Sequence, residues 1–351
     1  MRTVAIIGAG IGAEHLSGYS TLPQQFRVTT LCDLNTAKAQ AVIEPYDDIS
    51  TTDDFAAVLS DPEIDVVDIC LPPHLHLASC LAALDAGKIV ICEKPLVASL
   101  AEADQIAAKL SETRGALFPV FQYRYGTGAT QLRTLIEAGF VKRCYAGTLE
   151  THWDRDAAYY ANPWRGTWKG EQGGAILGHA IHIHDLLTST LGPVSRVFAD
   201  VATRVNAIET EDCAALSLRM ASGALITSSV TLGAAGNSSR LRLMFDGVTV
   251  ESDHAPYAPA AKPWRFTARA PHAQDEIDEV LANIPEVTPG FAGFFKAIAD
   301  TLDGRAMSAT TFEDGRRSLE FVTATYASAR SGAPVELPLT ETFPLYNSWL
   351  P

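Results

Sequence analysis

Two short stretches carry side chains suited to proton chemistry. The run Gly173-Gly-Ala-Ile-Leu-Gly-His-Ala-Ile-His-Ile-His-Asp185 places His179, His182 and Asp185 at regular spacing. On a helix His179 and His182 share a face, and so do His182 and Asp185. An imidazole titrates near neutrality and can take a proton from a hydroxyl. A carboxylate one turn on can fix its tautomer and raise its basicity. His184 points elsewhere. Two other readings compete: core histidines satisfied by backbone, and a metal site of two histidines and a carboxylate. No second ligand cluster is visible, and no metal is expected. The other stretch is Glu93-Lys94-Pro95, directly after the apolar run Ile89-Val-Ile-Cys92. Pro95 holds Lys94 extended, where the ammonium can reach a substrate hydroxyl and depress neighbouring pKa values. The alternative is a surface lysine in a strand-end turn.

The start of the chain suggests what these groups work with. Val4-Ala-Ile-Ile7 runs into Gly8-Ala-Gly-Ile-Gly-Ala13 and then Glu14-His-Leu-Ser. Strand, glycine turn and helix follow in that order, in the G-x-G-x-x-A form of the dinucleotide fingerprint. Gly8 is expected to permit the tight turn, Gly10 to admit a pyrophosphate, and Ala13 to let helix and strand pack closely. The helix N-terminus offers free N–H groups to the phosphates. A second strand, 27–32, ends on Asp33, about 20 residues past the glycines, where a carboxylate holds a ribose 2′-hydroxyl. It would repel a 2′-phosphate, which favours NAD over NADP. A plain βαβ unit with a structural glycine turn is the alternative. A third stretch, Tyr159 to Trp168, interleaves aromatics with Arg165. It reads either as a wall for a sugar face or nicotinamide, or as a packed loop.

The elements that position these groups change grammar once. Helices are expected at 36–44, 53–60, 74–86 and 99–113, the last opened by the capping box Ser99-Leu-Ala-Glu102. Strands at 66–71, 89–92 and 116–122 alternate with them, the signature of an α/β doubly wound parallel sheet. A dinucleotide-binding domain is therefore expected over 1–122. From 123 onward a helix at 127–138 gives way to β-rich runs at 145–153, 194–205, 213–220, 224–232, 240–245 and 248–251. Turns at Gly192-Pro193, Ser222-Gly223 and Asp246-Gly247 punctuate them. Consecutive strands with short turns imply an antiparallel sheet, hence an α+β domain over 123–351. The histidine helix, 179–191, interrupts. The Pro/Ala-rich stretch 254–271 reads as a long loop, and helices at 290–302 and 312–331 follow.

At 351 residues the chain is long for one core, which agrees with two domains. A net charge of −14 argues against nucleic acid or an anionic membrane as partner. The six cysteines form no C-x-x-C pair and several sit in apolar runs, a pattern that suits a reducing cytoplasm. No cleavable signal pattern and no transmembrane span are expected.

Taken together these residues resemble the family of glucose–fructose oxidoreductase, inositol dehydrogenase and the rhizopine-catabolism oxidoreductases (Gfo/Idh/MocA). The resemblance rests on Gly8–Ala13, Pro72-Pro73 with His76, Glu93-Lys94-Pro95, Gln122-Tyr-Arg124, Trp164-Arg165, and Gly173-Gly174 followed by His182-x-x-Asp185. It implies a Rossmann domain and a C-terminal α+β domain with a large, open, mostly antiparallel sheet through which members dimerise or tetramerise. It implies NAD held at Gly8, Gly10, Ile11, Gly12, Asp33, Leu71, Pro72, His76, Glu93 and Lys94, with Gln122, Trp164 and Arg165 near the nicotinamide. Lys94 and His182 match the family's catalytic lysine and histidine, with Asp185 beside them. Lys94, Arg124, Trp168, His179 and His182 are the substrate-binding candidates. Many members carry an aspartate four residues before the histidine; here that position is Gly178, with His179 next to it. The implied activity is hydride transfer from a secondary alcohol of a sugar, cyclitol or sugar derivative. A non-catalytic NAD-binding regulator and an NAD-assisted glycoside-cleaving enzyme are the rivals.

Overall fold

The computed structural model describes every residue except Arg114. The chain packs as two compact units, Met1–Val120 with Phe294–Arg316, and Phe121–Gly293 with Arg317–Pro351.

The first unit runs β1 (Arg2–Ile7), α1 (Gly12–Ser20), β2 (Phe26–Cys32), α2 (Thr36–Ile43), β3 (Ser50–Thr52), α3 (Phe55–Ser60), β4 (Val66–Ile69), α4 (His76–Asp85), β5 (Ile89–Cys92), α5 (Leu100–Glu112) and β6 (Leu117–Pro119). Its sheet has the order β3-β2-β1-β4-β5-β6, with every pairing parallel. Val4, Ala5, Ile6, Val66, Val67, Val90 and Ile91 have no exposed surface. Helices cover both faces of such a sheet, so its strands are continuous apolar runs. Strand order reverses between β1 and β4, which opens a crevice beyond their carboxyl ends. Residues 294–316 complete this unit, although sequence order groups them with the second domain. Phe295 stacks on Tyr19 at 3.8 Å between centroids, and the Thr310 hydroxyl donates to the Pro119 carbonyl at 2.6 Å.

The second unit holds α6 (Thr127–Glu137), β7 (Cys144–Asp154), α7 (Trp168–Glu171), a π-turn (Ile176–Ala180), α8 (Ile181–Leu191), β8 (Val194–Ala202), β9 (Cys213–Met220), β10 (Leu225–Thr231), β11 (Gly233–Phe245), β12 (Val248–Glu251), β13 (Arg265–Ala268) and α9 (Gln274–Ala282). In chain order α10 (Gly290–Leu302), most of which belongs to the first unit, and α11 (Phe312–Ser331), most of which belongs to the second, follow, then β14 (Val335–Glu336). The eight strands lie in the order β13-β12-β11-β7-β10-β9-β8-β14. The pairing is antiparallel except between β10 and β7, which run parallel. Ala214, Leu216, Leu218 and Met220 are buried on β9 while their neighbours are not, the period-two pattern of a half-buried sheet. The stretch 254–271 is not all loop, since it contains β13, paired with β12.

Among the described residues no helix is long and apolar enough to cross a membrane. The six cysteines form no disulfide. Burial pushes the thiols of Cys32 and Cys144 up to about 11.

Candidate dinucleotide and substrate site

β1 delivers the chain into the glycine turn at the reversal of strand order. Gly8 has φ +107°, and a Cβ there would lie 2.4 Å from the Cys70 carbonyl oxygen, so only glycine fits. Its N–H donates to the Cys32 carbonyl at 2.7 Å. At Gly12 a Cβ would come within 2.8 Å of Ile6 Cγ2. Gly12 therefore sets the close helix–strand approach expected of Ala13, which is only half-buried. Gly10 is different: a Cβ there would meet only Lys38 Nζ, at 3.8 Å. No protein contact demands glycine, and the exposed position leaves room for a pyrophosphate at the start of α1. Ile11, 41% exposed, sits on the same rim. Asp33 ties the end of β2 to this turn. Its Oδ2 accepts from the Ala9 N–H at 2.7 Å and its Oδ1 from the Asn35 N–H at 2.8 Å. Each oxygen has a further lone pair for a ribose hydroxyl.

The loops after β4 and β5 flank this turn. Leu71 and Pro72 are half-buried. His76 has no exposed surface; its Nδ1 lies 2.7 Å from the Pro95 carbonyl oxygen and its Nε2 lies 2.8 Å from that of Leu71. Burial holds its pKa below the usual histidine value against the pull of both carbonyls. His76, expected among the cofactor-binding residues, braces both loops. Glu93 is buried, and its Oε2 accepts from the Lys94 N–H at 3.0 Å. Lys94 is half-buried and joins Pro95 through a cis peptide bond. Beneath them lies a residue that no motif announces. His15, on α1, places Nε2 3.1 Å from Glu93 and Nδ1 2.9 Å from Asp68. Burial opposes a charge on His15, yet the Asp68 carboxylate prevails and holds its pKa well above the usual value. His15, Asp68 and Cys70 are the one trio among the described residues with ligand atoms close enough for a metal ion. Those atoms already contact one another.

In the second unit the histidine helix is anchored at its start. A Cβ on Gly174 would lie 2.0 Å from the Glu211 carbonyl oxygen, and one on Gly173 would lie 2.6 Å from the Tyr326 hydroxyl. The Glu211 carboxylate accepts from the Gly174 N–H at 3.1 Å, the Ile176 N–H at 3.0 Å and the Tyr326 hydroxyl at 3.0 Å. Its carbonyl accepts from the Ala175 N–H at 2.7 Å. Burial pushes this carboxyl up to about 7, against those donors. The expected α-helix from 179 is preceded by a π-turn that contains His179, and the two histidines meet different neighbours. His179 Nε2 lies 3.3 Å from the Tyr159 hydroxyl, and its ring stands edge-on to Trp153 at 5.2 Å. His182 stacks on Tyr123 at 4.8 Å, with Phe121 edge-on at 6.4 Å. His184 is a core histidine; its Nε2 is 2.8 Å from the Ser228 hydroxyl and burial lowers its pKa to about 3.

Asp185 was expected to orient His182, and Arg124 to meet substrate. The structure joins the two to each other, with Arg124 Nε 2.7 Å from Oδ2 and Nη2 2.5 Å from Oδ1. This fork pins α8 to the segment that carries Tyr123, the ring stacked on His182. In the aromatic loop the Arg165 guanidinium lies 4.1 Å from the Tyr159 ring and 4.6 Å from that of Trp164. It also pairs with Glu171 at 3.3 Å. Trp168 packs edge-on to Tyr326 at 5.7 Å. Gln122 has a buried Oε1 without a hydrogen-bond partner among the described residues, an acceptor that a bound ligand can satisfy.

Residues 2–121 match the oxidoreductase family model with an NAD-binding Rossmann fold, and residues 129–251 match the GFO/IDH/MocA C-terminal domain. Levoglucosan dehydrogenase from Pseudarthrobacter phenanthrenivorans is 28% identical over 210 residues, 57% of this chain and 54% of that protein. D-glucoside 3-dehydrogenase from Escherichia coli is 31% identical over 194 residues, 54% of each chain. The chain thus matches about half the length of these curated relatives. Among solved structures, the WlbA dehydrogenase from Bordetella pertussis in complex with NADH and UDP-GlcNAcA superposes with a TM-score of 0.83 at 27% identity, covering 96% of this chain and 99% of that one. A levoglucosan dehydrogenase complex with NADH is alike in fold, with a TM-score of 0.78 at 24% identity, covering 97% and 100%.

Proposed function

The chain belongs to the Gfo/Idh/MocA oxidoreductase family, and from that premise we propose that it is an NAD-dependent oxidoreductase acting on a secondary alcohol of a sugar, cyclitol or sugar derivative. The observation that carries the reading is the glycine turn: Gly10 is left open while Asp33 is fastened to the Ala9 amide beside it. The relatives named for levoglucosan and glucosides support the substrate class.

Bound NAD supplies the hydride acceptor. The amides from Gly10 to Gly12 hold the pyrophosphate, and Asp33 accepts from the ribose 2′-hydroxyl and repels a 2′-phosphate. Leu71, Pro72 and Glu93 would help hold the cofactor, and Gln122, Trp164 and Arg165 are the candidates for its nicotinamide end. The Lys94 ammonium donates to the substrate oxygen and stabilises the charge that develops there. An imidazole nitrogen of His182 takes the hydroxyl proton as the C–H bond breaks. His179 contributes to binding, and Asp185 acts through Arg124 to keep Tyr123 against His182. The protein works in a reducing cytoplasm as a homodimer or homotetramer joined through the open sheet.

The test is NADH formation over a panel of sugars and polyols, with NADH affinity measured separately. Lys94→Ala and His182→Ala are each expected to lower kcat about 100-fold or more while retaining NADH binding. Unchanged turnover in both variants removes the mechanism.

A further inference from the structure

We propose that the wall around His179 and His182 takes a sugar bearing an anionic substituent, a carboxylate or a phosphate, and that Arg155 grips that group. The proposal rests on the oxidoreductase reading and names the substrate class within it. Arg155 follows β7. Its guanidinium lies 4.7 Å from the Trp153 ring and 4.8 Å from the Tyr159 ring. One Nη donates to the Asp154 carbonyl at 2.7 Å and the other to the Tyr257 hydroxyl at 3.3 Å. Its Nε is buried and has no hydrogen-bond partner among the described residues.

Arg155 and Arg165 both flank the ring of Tyr159. Glu171 answers Arg165 and also accepts from the Gly166 N–H. Asp156 is held by the amides of Ala158 and Tyr159, and Asp185 by Arg124. Among the described residues no carboxylate makes an ion pair with Arg155. A half-buried guanidinium with an unsatisfied Nε is costly, and a carboxylate or phosphate supplies the missing acceptor in the fork geometry arginine favours.

The placement suits a sugar. Trp153 and Tyr159 each touch both Arg155 and His179. Trp153 also stands edge-on to Tyr257 at 4.9 Å and donates to the Ser239 hydroxyl at 3.1 Å. Ser239 and Tyr123 both donate to the Pro256 carbonyl, and Tyr123 is the ring stacked on His182. Gly178 opens the same turn: a Cβ there would meet no atom within 4 Å.

The experiment titrates NAD-saturated protein with methyl glucoside, methyl glucuronide and glucose 6-phosphate, reading heat and tryptophan fluorescence. At least one anionic ligand is expected to bind tenfold or more tightly than the neutral glucoside. Arg155→Gln is expected to bring that ratio near one, and Arg155→Lys to keep part of it; which anion is preferred identifies the substituent. The NADH affinity of each variant checks that the fold is intact. A neutral sugar that binds as tightly as both anions, an Arg155→Gln loss shared equally by all three ligands, or no saturation by either anion overturns the proposal. Turnover is followed in parallel. Lys94-dependent oxidation without anion preference sinks this inference alone. Arg155-dependent anion binding without NADH formation sinks the oxidoreductase reading and leaves the anion site standing.

Discussion

At Glu211 full burial and three hydrogen-bond donors pull in opposite directions; burial prevails and pushes the carboxyl from 4.5 up to about 7. Below the ordinary value the acid is protonated in both the folded and unfolded chain. As pH rises toward 7 the unfolded chain releases its proton first, so stability falls, by up to about 3 kcal/mol at about 1.4 kcal/mol per pH unit. Glu211→Gln removes that slope. Urea denaturation from pH 4.5 to 8 is expected to show the stability gap closing in the variant's favour up to about 7 and level beyond it; a gap independent of pH contradicts the assignment. His15 supports a second prediction. His15→Phe leaves Asp68 and Glu93 buried without the imidazole between them, and a broken buried ion pair costs about 3–5 kcal/mol. Weaker NADH binding is expected with it, because Glu93 holds the Lys94 amide; full stability and full NADH affinity in this variant would refute the role. Neither residue was legible in the sequence. Glu211 contacts a residue 37 positions away, and His15 reaches partners 53 and 78 positions away, whereas the glycine fingerprint is a local pattern whose backbone demands show in residue type.

The π-turn is where local spacing misleads at the scale of an element. An i, i+3 rule places His179 and His182 side by side on an α-helix, but the extra residue per turn in Ile176–Ala180 sends His179 toward Trp153 and His182 toward Tyr123. Such turns occur frequently at functional sites. The two glycines nearest it are opposites. Gly174→Ala forces a Cβ to 2.0 Å from the Glu211 carbonyl oxygen, whereas Gly178→Ala meets nothing within 4 Å. Thermal unfolding is expected to show Gly174→Ala destabilised by about 2 kcal/mol or more and Gly178→Ala near wild type, since alanine favours a helical turn over glycine. Equal behaviour of the two refutes the anchoring of this turn by Glu211. Regular elements were legible wherever their period was clean, as in β9 and α11. β13 was hidden by Pro/Ala-rich flanks and owes its existence to pairing with β12. The first half of β11, rich in Gly and Ser, is irregular between Gly233 and Ser238 and pairs there with the end of β7.

At the scale of the whole chain, sequence order and spatial order part company once. Phe294 and Phe295 are fully buried, and Phe295 finds its partners in Tyr19 and Phe26 rather than among its chain neighbours' sheet; aromatic burial over so long a separation leaves no periodic trace. The open sheet makes the opposite point, because its exposed face is predictable from alternation. Ser217 on β9 is paired with Thr227 on β10, and Thr227 with Thr148 on β7. This row is small and polar, with Leu225 54% and Phe198 38% exposed beside it. A flat face of small side chains can meet its own copy about a two-fold axis, where every substitution is presented twice. Thr227→Glu then sets like charges near each other across the axis without disturbing the buried face, because Ile226 and Ser228 point inward. Light scattering is expected to give a dimeric or tetrameric mass for the wild type and a smaller assembly for Thr227→Glu, with the circular dichroism of the two alike. An oligomer of unchanged size in the variant moves the interface to another surface.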